Sequence, residues 1–179
     1  MRPDDILYFW FTEISSKSWW QKSDAFDALL TRRFSSLLEQ AACGELVSWR
    51  ESGRGRLAEI LVLDQFSRNI HRGKSAAFAT DSMSLVLAQE AVARGVAENW
   101  SADWQQFLYM PFMHSESRVI HEHAVVLFNK PGLNDNLNFE RRHKVIIDRF
   151  GRYPHRNAIL GRSSTLAEIE FLKQPGSGF

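Results

Sequence analysis

The stretch LAEILVLDQFSRNIHRG, Leu57 to Gly73, decides the fold and poses the question of function at the same time. Leu57, Ile60, Leu61 and Leu63 recur at helical spacing, and the run shows no strand-like alternation. Ala58, Leu61, Gln65 and Arg68 share one stripe of such a helix, with Asp64 beside it, so the stripe turns from apolar to polar. Asp64 and Arg68 stand four residues apart, the spacing at which a carboxylate meets a guanidinium, while Val62, Phe66 and Ile70 cover another face. A helix buried on both sides is expected. Charges inside it need partners, because breaking a buried pair costs about 3 to 5 kcal/mol. Such residues either brace the fold or line a cavity.

Outward from this helix the pattern repeats. Phe26, Leu29, Leu30, Phe34, Leu37 and Leu38 keep helical spacing up to Gly44, and Leu85, Ala88 and Val92 do so between a capping Asp81 and a terminating Gly95. Thr165 and Glu168 have the spacing of a capping box ahead of Ile169, Phe171 and Leu172. Further helices are expected over 102–110, 116–128 and 139–150, with Pro111, the stretch 130–136 and Pro154 as breaks. Eight to ten helices with short connections make an all-α, single-domain antiparallel array over residues 1–179, with 174–179 as a coil tail. No period near that of a helical repeat is visible in the sequence.

Length and composition agree. A chain of 179 residues, 44% of them hydrophobic, buries a core without a metal or disulfide staple. Its 22 Lys plus Arg against 21 Asp plus Glu leave no net field to favour nucleic acid or an anionic membrane. The lone Cys43 forms no intrachain disulfide, and a cytoplasmic location is expected. The apolar run Ile6 to Phe11 follows Asp4 and Asp5, lacks a basic lead, and is too short to span a bilayer, so it reads as a core helix.

Two more segments place polar groups where core is expected. In YMPFMHSES, Tyr109 to Ser117, an aromatic stretch hands over to His114, Ser115, Glu116 and Ser117. Ser115 or Ser117 suits a helix cap and Glu116 a first turn, which leaves His114 as the candidate general base. In RFGRYPHRNAILGR, Arg149 to Arg162, four arginines, His155 and Asn157 surround Gly151, Pro154 and Gly161. Arginine forks on such a turn suit a carboxylate or phosphate, and a solvated basic loop is the plainer alternative. His143 shares a face with Ile146, Ile147 and Phe150.

Other motifs fail. His121 and His123 lie two apart on a helix, roughly 200° around the axis, and cannot share one metal. No phosphate loop, dinucleotide fingerprint or nucleophile elbow is present, so the sequence names no cofactor and no metal.

The strings DDILYFWF, WWQKSDAFDALLTRRF, LDQFSRNIHRG, YMPFMHSES, RFGRYPHRN and FLKQPGSGF, in this order, resemble the bacterial family called domain of unknown function 924. That resemblance implies a curved helical array of the tetratricopeptide-repeat-like superfamily, and no activity. It also implies that Asp64, Gln65, Arg68 and Asn69, then His114, Ser115 and Glu116, then Arg149, Arg152, His155, Arg156 and Asn157 belong to a shared pattern. The expected function is a pocket for a small anionic ligand. Arg68, Arg152 and Arg156 would hold the anion, with Asp64, Gln65, Asn69, Ser115, His143, Arg149 and Asn157 around it. His114, Glu116 and His155 would move protons if chemistry occurs. Whether the protein is an enzyme stays open at this point, and the alternative is an interaction module offering a groove to a peptide or protein partner.

Overall fold

In the computed structural model, which describes residues 1–178, the deciding segment forms one helical path with a defect in the middle. Helix α3 (Gly53–Leu61) passes into a π-turn, Val62–Phe66, and resumes as α4 (Ser67–Ile70). Ser52 caps its start by accepting from the Gly55 amide. Residues 55 to 67 are all buried, as the two-sided pattern predicts. The amide of Ser67 reaches back five residues to Val62, so one extra residue is accommodated in the turn.

Around this path lie α1 (Pro3–Tyr8), α2 (Asp24–Ala42), α5 (Asp81–Ala93), α6 (Ala102–Met113), α7 (Arg118–Phe128), α8 (Asn134–Phe150) and α9 (Leu166–Leu172). No strand occurs among the described residues. Helix α3 packs against α1, α5 and α6, and α7 packs between α6 and α8. The aromatic start of the chain is core: Phe9 and Trp10 are fully buried, and Trp10 stacks obliquely on Phe66 at 5.5 Å and edge-on to Phe107 at 5.4 Å. Ile146, Ile147 and Tyr153 form a smaller core with Phe150 and Phe171.

Several boundaries differ from the sequence reading. Pro111 does not end α6, which continues to Met113. A proline there costs about 3 kcal/mol of helix stability, but every residue from Gln105 to Met113 is buried, and that packing outweighs it. Asp81 is not a cap: it is the first residue of α5, and its carboxylate is turned to two arginines. Ser117 precedes α7 without a side-chain cap bond, and Glu116 lies outside that helix. The capping box of Thr165 and Glu168 is present. Residues 174–177 form turns, and the last residue of the expected tail, Phe179, lies outside the described residues.

Gly55 lies where α3 leaves no room for a side chain. A Cβ there would lie 1.9 Å from the carbonyl oxygen of Trp49, an atom of the backbone. Gly55→Ala is therefore expected to destabilise by about 1 to 3 kcal/mol in urea unfolding, although alanine is the better helix former by up to about 1 kcal/mol.

Candidate functional site

The π-turn and the end of α6 face one another, and each presents one half of an aspartate–histidine couple. Asp64 Oδ1 lies 2.7 Å from His114 Nδ1 and 3.2 Å from Arg68 Nη1, and Oδ2 accepts from Gln65 Nε2 at 2.6 Å. Side chains hold the backbone on both sides. In the π-turn the carbonyls of Leu63, Asp64 and Gln65 accept from Thr80, Arg68 and Asn69. At the end of α6 the carbonyls of Met113, His114 and Ser115 lie against Tyr153 Oη, Arg156 Nη2 and His121 Nε2, at 2.6, 3.0 and 2.8 Å. Helix ends leave such carbonyls without backbone donors, and here three neighbouring side chains supply them.

The second carboxylate of the site is Asp81. It takes both nitrogens of the Arg68 fork, at 2.8 and 3.1 Å, and Nη1 of Arg156 at 3.2 Å. The guanidinium of Arg156 lies between two aromatic rings, 4.6 Å from the centroid of Phe78 and 4.6 Å from that of Tyr153. A third pair, Glu116 with Arg162, closes the edge at 2.6 and 2.9 Å, and Glu116 also accepts from the Tyr153 amide at 2.7 Å. These groups border a pocket of about 280 Å³ lined by Phe78, Asp81, His114, Ser115, Glu116 and Arg156, with Leu85 and Leu160 as its apolar side. That volume equals the liquid share of about nine waters, the scale of a small metabolite.

The surroundings set the charges. Burial alone would raise the pKa of Asp64, but Arg68 and His114 outweigh it and hold the carboxyl far below its usual range. Burial, helped by the charge of Arg68, lowers the pKa of His114, so the ring is neutral near pH 7. An ionised carboxylate only accepts, so the proton of the neutral ring sits on Nδ1 and Nε2 carries a lone pair. That is the protonation state a general base needs.

Of the residues singled out from the sequence, Asp64, Gln65, Arg68, His114, Ser115, Glu116 and Arg156 meet here. Asn157 is one step back: its Oδ1 accepts from Nε of Arg162 at 3.0 Å and orients that fork. The rest fall elsewhere. Asn69 turns its oxygen to Arg72 and borders a separate surface groove. Arg149 is exposed and lies over Phe150. Arg152 gives its fork to Glu168 and to the Ser163 carbonyl, so it pins α9 and is no part of the pocket. His143 is buried at the back of Tyr153, with Nδ1 2.8 Å from the Phe139 carbonyl, and His155 lies beside the same ring. Asp81, which the sequence offers only as a cap, Arg162, one of the four arginines of its segment, and Tyr153 join the site through partners distant in sequence.

Burial, reinforced for His155 by the charge of Arg156, depresses the pKa to about 3 at His143 and about 4 at His155. In the unfolded chain both titrate near 6.5 and take up protons that the folded state refuses. Their contribution is complete above about pH 6.5 and is lost as pH falls toward the folded values. His114 acts in the same sense, and Glu140, whose pKa burial raises, acts in the opposite one. Urea unfolding at pH 5.0 is expected to show roughly 2 to 4 kcal/mol less stability than at pH 7.5, and His155→Gln to flatten that slope.

The fold and site together define an all-helical protein with an aspartate–histidine couple and paired arginines at a small pocket. The chain belongs to the bacterial proteins of unknown function designated DUF924, whose family model matches residues 6–176. It is similar to the solved structure of a protein of unknown function from Agrobacterium tumefaciens, with 37% identity over 96% of each chain and a TM-score of 0.90. No curated protein matches it. Among the described residues no helix is long and apolar enough to cross a membrane, and no three potential ligands gather into a metal site.

Proposed function

We propose that this protein is a general-base enzyme acting on a small molecule with one negative charge. Arg156 holds the anionic end, and Nε2 of His114 accepts a proton from a water or a substrate hydroxyl. The observation that carries this reading is the 2.7 Å contact between His114 Nδ1 and the buried Asp64 carboxylate at the wall of a pocket that also contains Arg156. A histidine serving only as packing has no need of a fixed tautomer facing a cavity.

The charge balance favours a monoanion over a phosphate dianion. Asp64, Asp81 and Glu116 offset Arg68, Arg156 and Arg162, so the site starts near neutrality. Of the five N–H donors of a guanidinium, Arg156 gives one to Asp81 and one to the His114 carbonyl, and its Nε has no acceptor among the described residues. A single carboxylate can use the remaining Nη hydrogens, the buried Nε being out of a ligand's reach, whereas a dianion would add repulsion from Asp81 and Glu116.

The test is a thermal-shift series with short-chain carboxylates and with inorganic phosphate, on the wild type and on Arg156→Lys, followed by imidazole NMR of His114. Carboxylates are expected to raise the midpoint of the wild type and not of a cooperatively melting variant, and to move the His114 ring signals. No shift with any carboxylate, or a His114 ring protonated on Nε2 at pH 7, would overturn the proposal.

A further inference from the structure

A second carboxylate–histidine couple lies behind the first, and its surroundings put the proton in the opposite place. His121 and Glu140 are both completely buried, with Nδ1 2.6 Å from Oε1. Nε2 of His121 faces two acceptors. One is the Ser115 carbonyl at 2.8 Å; the other is the Tyr153 hydroxyl oxygen at 3.2 Å, whose own proton goes to the Met113 carbonyl. Nε2 therefore carries a proton, and a single further proton is shared between Nδ1 and Oε1.

The two carboxylates are solvated differently by the protein. Asp64 has donors on both oxygens, from His114, Arg68 and Gln65. Glu140 has a partner on one oxygen only: Oε2 is buried with no donor among the described residues. A naked carboxylate oxygen in the core is far more costly than the carbonyl-like oxygen of a neutral carboxyl.

We infer that Glu140 is a protonated positioning residue: it donates to Nδ1 of His121, which keeps Nε2–H on the Ser115 carbonyl and so fixes the backbone that carries His114. The burial of Glu140, which raises its pKa, acts in the same direction. Its part is mechanical. The carbonyls flanking His114 are held by Tyr153 and His121, and His121 remains a donor to Ser115 only while Nδ1 has a partner that keeps the other proton on Nε2. The inference rests on the general-base reading of His114 for its importance to turnover, but not for the location of the proton.

The experiment uses the ¹⁵N-labelled protein and long-range imidazole spectra between pH 6 and 8. His121 is expected to show one protonated and one unprotonated ring nitrogen across this range. Two protonated nitrogens would mean an ion pair and would overturn the assignment, whatever the ligand experiments give. Glu140→Gln can still donate to Nδ1, and Glu140→Met fills the same space without a donor. The Met variant is expected to shift the His114 pKa by about half a unit or more, while the Gln variant stays near the wild type. If the Met variant fails to melt cooperatively, Glu140→Leu, which likewise removes the partner of Nδ1, takes its place as the probe. An unmoved His114 titration in the folded probe, or a Gln variant as perturbed as the Met variant, would overturn the positioning role.

Discussion

Asp64→Ala is expected to lower stability by about 3 to 5 kcal/mol and to abolish the ligand response together. The substitution leaves His114 and Gln65 without their carboxylate acceptor and Arg68 with Asp81 as its one carboxylate partner, all within a buried cluster. For a chain of this size each kcal/mol moves the melting midpoint by about 2 to 4 °C, so a drop on the order of 10 °C should be read. Without the carboxylate, His114 is free to put its proton on Nε2, and the remaining charge of Arg68 depresses its basicity further. Asp64→Asn provides the graded control. Its amide oxygen still accepts from one set of donors, so a loss of about 1 to 3 kcal/mol is expected. A variant that loses the ligand response while keeping that residual stability would separate the chemical role of Asp64 from its bracing one. Full retention of both stability and response in Asp64→Ala would contradict the reading of the site.

Asp81→Asn is expected to move stability and anion affinity in opposite directions. Asp81 neutralises Arg68 and Arg156 at once, and both guanidiniums lie in a partly buried wall. Removing its charge leaves a net positive pocket, which costs the free protein about 2 to 4 kcal/mol by the same logic of a broken buried pair. The same excess charge should turn the site from one that disfavours dianions into one that welcomes them. Inorganic phosphate, expected to leave the wild type unmoved, should stabilise the variant by several degrees in a thermal shift, and the effect should fade with added salt. A variant weaker in both respects would show that Asp81 contacts the ligand rather than tempering the arginines.

What the sequence made legible follows from distance along the chain. The buried two-faced helix, the Asp64 and Arg68 spacing, and the polar break at His114 could be read because each shows within one or two helical turns. Asp81 was read as a helix cap, since nothing local reveals partners 13 and 75 residues away. Glu140 and Tyr153 lay hidden in the same way, as ordinary members of an amphipathic helix and an aromatic loop. Arg152 and Arg156 look alike in the string RYPHR, yet the first pins α9 and the second faces the pocket, a division made by the short turn Pro154–Arg156. The π-turn was invisible because periodicity arguments assume a constant number of residues per turn.

That turn makes the site dependent on counting. Each residue of a helix advances the direction of its side chain by about 100°. Deleting a single residue between Leu61 and Ser67 would restore a regular helix and leave Arg68 and Asn69 close to their present direction, because the wide turn already absorbs the extra residue; the side chains re-aimed would be those of the turn itself, Asp64 and Gln65 among them. Such a shortened chain would still be helical, but one buried residue would be lost and Asp64 would no longer be aimed at His114. Among relatives of different length, therefore, retention of the extra residue, rather than overall identity, is the feature that should track with retention of the pocket.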